Sequence, residues 1–269
     1  MTLDLPRRDA AVVAAAVRQQ GARLFTGSDP VRRQAAQTIA RLGLQDFGPA
    51  LAEVVQQEQQ PLSLRVEALY ALEVLRYADL AAVAEKARQA PHAALRAAAR
   101  HILARRHPQA LLPEVLRLLS NPQADIVEKQ EALTLLGRWP QPSESVDRLL
   151  ADWLDQALAG RLAPELLLDL LEAAETRSQS APGKKLFAPL AQKVQAYRQA
   201  QQKSADPLAP YLDALRGGNP ERGRDIVLNH SAVYCQRCHK LDGQGGEVGP
   251  ALNGLAADPA KDYRYFLEA

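Results

Sequence analysis

The chain repeats itself, and the repeat limits its fold more than any other feature. Four nine-residue segments align: VRRQAAQTI from Val31, LRVEALYAL from Leu64, LRAAARHIL from Leu95 and EKQEALTLL from Glu128, at offsets of 33, 31 and 33 residues. Position two is basic each time (Arg32, Arg65, Arg96, Lys129). Position five is alanine (Ala35, Ala68, Ala99, Ala132) and position nine a large aliphatic (Ile39, Leu72, Leu103, Leu136). Residues four apart share one face of an α-helix. The small alanine therefore admits a neighbouring helix, and the aliphatic fills the core. A proline precedes every segment (Pro30, Pro61, Pro91, Pro122), as suits a first helical turn. Asp29 and Asn121 stand where a helix start would be capped. Between segments run further amphipathic stretches, such as PALAEVVQQEQ from Pro49 and PEVLRLLSN from Pro113. The unit is helix–turn–helix, and a repeat of this length implies an α-solenoid whose units stack over a shared core. An irregular helical bundle is the alternative.

The pattern of proline, then a basic residue, then an alanine-rich first helix resembles HEAT-like repeats. The resemblance is clear over residues 28–160 and weaker to about residue 202. Leu154 to Leu158 and Pro164 to Ala174 read as further helices in poorer register. Arg177 to Lys185 reads as a polar loop, Leu186 to Lys203 as a last long helix, and Gly217-Gly218 as a helix stop before a new start at Asn219-Pro220. The expected organisation is all-α: a HEAT-like helical scaffold over 1–203, a linker over 204–217 and a second domain over 218–269.

Composition agrees with this class and excludes others. Aromatic residues are only 5% while alanine, leucine and glutamine abound, a mixture that favours helix over sheet. The net charge is +2 from 33 basic and 31 acidic side chains, so charge provides no reason to expect nucleic acid or an anionic membrane as partner. No stretch approaches the ~20 apolar residues of a membrane span, and no secretory signal is recognisable at the N-terminus. Phosphate-binding loops, H-E-x-x-H and serine nucleophile elbows are absent from the sequence. Glu172 with Glu175 fits a solvated helix face, and His92, His101 and His107 fit the repeat surface, so no catalytic residue is assigned.

Both cysteines fall in one string, Cys235-Gln236-Arg237-Cys238-His239. Two thiols about one turn apart can reach the two vinyl groups of a haem, and the adjacent histidine can bind its iron; the C-x-x-C-H string is the signature of c-type haem attachment. A thioredoxin-like pair would need a βαβ setting, which is missing. A zinc site would need further ligands than the sequence offers nearby. The string KLDGQGGEVGPALNGL follows. With it, the segment resembles small single-haem cytochromes c, which carry a glycine-rich loop ending in G-P-x-L-x-G; here this is Gly249-Pro250-Ala251-Leu252-Asn253-Gly254. The resemblance implies that the Pro250 carbonyl accepts a hydrogen bond from the His239 ring and that Leu252 packs on the haem face. An ordinary turn at Gly249-Pro250 is the plain alternative.

From about Gly218 onward the chain resembles more closely a haem-binding domain found in planctomycete and verrucomicrobial proteins, where it commonly follows HEAT-like repeats. That resemblance implies one covalent haem c and an electron-accepting cytochrome module, incomplete here at its C-terminus. It also implies a larger, exported dehydrogenase-like protein, periplasmic or otherwise extracytoplasmic. Family members continue past the position of Ala269 with a methionine as sixth iron ligand, whereas the only methionine here is Met1. The expectation is a fragment cut at both ends, its export signal upstream. His230 is a weak alternative as sixth ligand. The function expected is electron transfer from a dehydrogenase domain or redox partner, with the solenoid surface as a further protein-binding face and no turnover by this chain itself. An interaction scaffold with a sensing haem and a small haem peroxidase are the competing readings.

Overall fold

Alanine-rich amphipathic segments with few β-branched residues favour helix, and the computed structural model of the chain is all-α. The structure describes residues 9–139, 141–179, 188–218, 223–224, 226–227 and 235–268. Among them the only strands are the paired two-residue pieces Lys240–Leu241 and Gln244–Gly245. No described helix is long and apolar enough to cross a membrane. The chain divides into two compact units, Met1–Glu128 and Lys129–Ala269.

The first unit holds α1 (Ala10–Gln20), α2 (Asp29–Arg41), α3 (Gly48–Gln56), α4 (Leu62–Val74), α5 (Leu80–Ala87), α6 (Ala93–Arg106) and α7 (Pro108–Ser120), with the start of α8 (Ile126–Gly137). Helices carrying the repeat segments pack in chain order, α2 on α4 and α4 on α6. The intervening helices form a second row, α3 on α5, braced against the first by α3 on α4, α5 on α6 and α6 on α7. The residues predicted to face the core do so. Ala35, Ala68 and Ala99 are buried, as are Ile39, Leu72 and Leu103.

The helix starts differ in detail from the sequence reading. Of the four prolines before the repeat segments, only Pro30 lies in a first helical turn. Pro61 is itself the residue that caps α4, while Pro91 and Pro122 fall in turns before α6 and α8. Asp29 is inside α2, and Asn121 ends α7, its side-chain oxygen accepting from the Gln123 N–H at 3.0 Å. Pro113 does not open a helix but sits within α7, which begins at Pro108. These shifts share a cause: proline without an N–H suits a turn as well as a first helical turn, and spacing alone does not separate the two.

The second unit continues α8 and adds α9 (Glu144–Leu158), α10 (Leu167–Gln179) and α11 (Ala188–Gln202), which pack pairwise. Ala132 and Leu136 of the fourth repeat segment are buried here. The stretch read as a polar loop from Arg177 is helical to Gln179; its later part lies outside the described residues. Arg177 is buried with each guanidinium nitrogen engaged: Nη1 donates to the Trp139 carbonyl at 2.8 Å, Nη2 to the Gln141 carbonyl at 3.0 Å, and Nε to Asp147 at 2.8 Å. A short 3-10 helix, Ala209–Ala214, closes this core. Its Asp213 accepts from Tyr197 at 2.8 Å, Arg198 at 3.0 Å and Gln201 at 2.7 Å. Burial pushes the Tyr197 hydroxyl pKa upward, and bonding to Asp213 adds to the rise. The predicted helix start at Asn219-Pro220 lies outside the described residues.

Candidate haem-attachment site

The site is built by one continuous stretch of chain. A 3-10 turn, Cys235–Arg237, brings the Cys238 and His239 amides onto the Cys235 carbonyl at 3.2 and 2.9 Å. Both thiols are free; Cys235 is half-buried and Cys238 exposed. The chain then makes a two-residue hairpin in which Lys240 pairs with Gly245 and Leu241 with Gln244. Asp242 and Gly243 both take positive φ, 50° and 78°, the geometry of the tight hairpin turn that Asp-Gly favours.

After the hairpin the chain folds back across the turn. Gly246 N–H donates to the Gln236 carbonyl at 2.7 Å, Gly249 N–H to the Cys238 carbonyl at 2.6 Å, and Leu252 N–H to the Lys240 carbonyl at 2.9 Å. The His239 Nδ1 lies 2.8 Å from the Pro250 carbonyl oxygen. A carbonyl only accepts, so Nδ1 carries the proton. This tautomer leaves the lone pair on Nε2, which has no protein partner among the described residues. Gly249 makes the approach possible, because a Cβ there would stand 2.8 Å from His239 Cε1 and 2.9 Å from Nδ1.

The loop is tied at its far end by a reciprocal pair. Asn253 Oδ1 accepts from the Asp242 N–H at 2.7 Å, and Asn253 Nδ2 donates to Asp242 Oδ1 at 2.6 Å. Arg224 forms an ion pair with the same carboxylate, and this pairing, with the Asn253 bond, holds Asp242 below the ordinary carboxylate range. Lys240 pairs with Glu247 at 2.6 Å. Farther along, Arg264 of the terminal helix Tyr263–Glu268 grips Asp206 with two bonds of 2.7 and 3.2 Å.

Cys235, Cys238, His239, Gly249, Pro250 and Leu252 thus meet in one loop. His230 lies outside the described residues. The Asp242–Asn253 clasp was not anticipated from sequence, although the turn-forming pair Asp242-Gly243 was its available signal.

This residue set fits a covalently held haem on three counts: free thiols at one-turn spacing, an imidazole fixed through Nδ1, and apolar surface beside them. Val248 is 88% exposed, and Leu252 is half-buried. Among the described residues no side chain after Asp213 is buried. Segments below ~70–80 residues rarely supply a sufficient core of their own and are commonly held by a cross-link, metal or prosthetic group. No group of three or more His, Cys, Asp or Glu side chains among the described residues is placed to hold a metal ion by itself. Compared with protein-family models, with curated proteins and with solved structures, the chain finds no match.

Proposed function

We propose that the chain is an electron-transfer module bearing one covalent haem c on a HEAT-like helical scaffold. Residues 1–203 form the scaffold and 218–269 the haem-bearing segment; of the connecting residues 204–217, the 3-10 helix Ala209–Ala214 packs on α10 and α11 as part of the scaffold. The observation that carries this reading is the 2.8 Å contact from His239 Nδ1 to the Pro250 carbonyl. With Nδ1–H committed there, Nε2 is the nitrogen left for iron, and the hydrogen bond both orients the ring and raises its basicity. Cys235 and Cys238 would hold the haem as thioethers; each thiol would add its S–H across a vinyl double bond, sulfur joining one carbon and hydrogen the other, so the attachment would consume no oxidant or reductant. When bound, the haem supplies a one-electron couple at iron. Gly249 keeps the Pro250 carbonyl within reach of the imidazole, Leu252 offers apolar contact, and the Asp242–Asn253 clasp holds the loop ends together.

The two rows of helices in the first unit support the HEAT-like part of the reading, and such rows present a surface for a protein partner. Electrons arrive from a dehydrogenase domain or redox protein, and the chain turns over no substrate itself. The resemblance to exported haem proteins supports a location outside the cytoplasm, in a periplasm or its equivalent.

The test is co-expression with a haem c maturation system in a periplasm, followed by acid–acetone extraction and the reduced spectrum in alkaline pyridine. A c-type spectrum that stays with the polypeptide is the expected result. Haem lost on extraction, or never bound, overturns the proposal and leaves Cys235 and Cys238 as a plain thiol pair.

A further inference from the structure

Arg65 occupies position two of the second repeat segment and is only 4% exposed. A guanidinium taken out of water needs acceptors for its N–H groups and a compensating negative charge. Its counterparts in neighbouring repeats have acidic side chains beside them, although Arg32 too leaves a buried Nε without a hydrogen-bond partner. Arg32 donates to Gln60 at 2.9 Å and lies 3.4 Å from Asp29. Arg96 donates to Glu128 at 3.0 and 2.5 Å and to the carbonyls of Ala90 and Pro91 at 2.9 and 2.7 Å. The matching places around Arg65 hold no acceptor side chain: by repeat register, Leu62 stands where Asp29 does, Pro91 where Gln60 does and Leu95 where Glu128 does. Arg65 donates Nε to the Val55 carbonyl at 2.9 Å, and its buried Nη1 has no hydrogen-bond partner.

Arg65 also lines a cavity of about 280 Å³ at the end of α3 and α5, together with Gln56, Glu58, Lys86 and Gln89. The Lys86 ammonium donates to the neutral Gln56 side chain at 2.8 Å, so that bond leaves its charge uncompensated. A larger groove of about 770 Å³ adjoins this cavity and shares Gln56, Val83, Lys86 and Gln89 with it. Ala52, Tyr77 and Ala82 add apolar wall there, and Asp79 and Glu85 stand on its border.

We propose that this cavity binds a small monocarboxylate with an apolar body. The carboxylate lies at Arg65 and Lys86, and the body runs along Ala52, Tyr77 and Val83. Charge decides the class. Arg65 and Lys86 against Glu58 leave one net positive charge, which matches a monoanion, whereas a phosphate dianion would press a second charge on Glu58. A second carboxylate at the far end of the ligand would meet Asp79 and Glu85. The inference stands apart from the haem reading, since its residues belong to the first unit alone.

The experiment is calorimetric titration of the full chain with sodium octanoate, sodium butanoate and sodium phosphate at matched ionic strength. Octanoate is expected to bind saturably and more tightly than butanoate, with phosphate not competing. Arg65→Met should weaken octanoate about 10- to 100-fold, the worth of a charge-assisted hydrogen bond. Lys86→Met, a change at an exposed position outside the core, should weaken it severalfold and keeps the test decisive where Arg65→Met fails to fold. The proposal is overturned if octanoate shows no saturable binding, if Lys86→Met leaves its affinity unchanged, or if phosphate binds as tightly.

Discussion

A carboxyl group removed from water resists ionisation, and Asp169 on α10 is such a group. It is 9% exposed, and its Oδ2 has no hydrogen-bond partner. Burial pushes its pKa up to about 6; the Gly218 N–H opposes the rise, while Glu172 and Glu131 add to it. The folded state therefore holds this proton more tightly than an unfolded aspartate does. Its stabilising contribution is complete below about pH 4 and is lost as pH rises through about 6, by at most about 3 kcal/mol. Asp169→Asn is accordingly expected to melt above the wild type at pH 7.5 and close to it at pH 4. A variant that melts lower at both values would show that Asp169 serves as a paired anion instead. At this scale the attachment string was legible because all its atoms come from neighbouring residues. Arg65 and Arg177 were not legible, since burial of a basic side chain depends on which distant carbonyls and carboxylates surround it.

At the scale of the element, the first two repeat helices end alike. After α2, Gly43 takes a positive φ of 65°, with its N–H on the Ala40 carbonyl and the Leu44 N–H on the Ile39 carbonyl. After α4 the same two bonds recur, from Arg76 to Glu73 and from Tyr77 to Leu72. Here the left-handed position, at a φ of 54°, falls to an arginine. A side chain in that conformation carries a strain of about 1 kcal/mol that glycine avoids. Arg76→Gly is expected to stabilise the chain by roughly 0.5–1 kcal/mol, read as a higher denaturant midpoint at unchanged slope. A lower midpoint would mean that contacts of the Arg76 side chain outweigh the strain. Helix existence and facing were readable from the alanine and aliphatic positions. Helix starts were not, because proline, asparagine and aspartate serve turns and caps with similar chemistry.

For the whole molecule, the described buried side chains all lie at or before Asp213, upstream of the attachment loop. Cys235→Ala with Cys238→Ala is therefore expected to abolish thioether attachment while leaving the far-ultraviolet circular dichroism of the unliganded chain unchanged and its melting within about 0.5 kcal/mol. Loss of helical signal would show that the loop contributes to the helical core. The sequence by itself determined that the chain is all-α, which repeat positions turn inward, and which residues form the C-x-x-C-H string, because helical periodicity and short-range covalent spacing are local properties. The meeting of the Pro250 carbonyl and the His239 ring was expected from the family resemblance; tertiary structure alone decided that Gly249 leaves no Cβ to block it, that Asn253 clasps Asp242, and that Arg65 is buried with no acidic side chain at the places that supply one to Arg32 and Arg96. Each of these depends on where a returning segment of chain comes to rest, and that is set by packing and hydrogen bonding between residues ten or more positions apart, beyond the reach of helical periodicity.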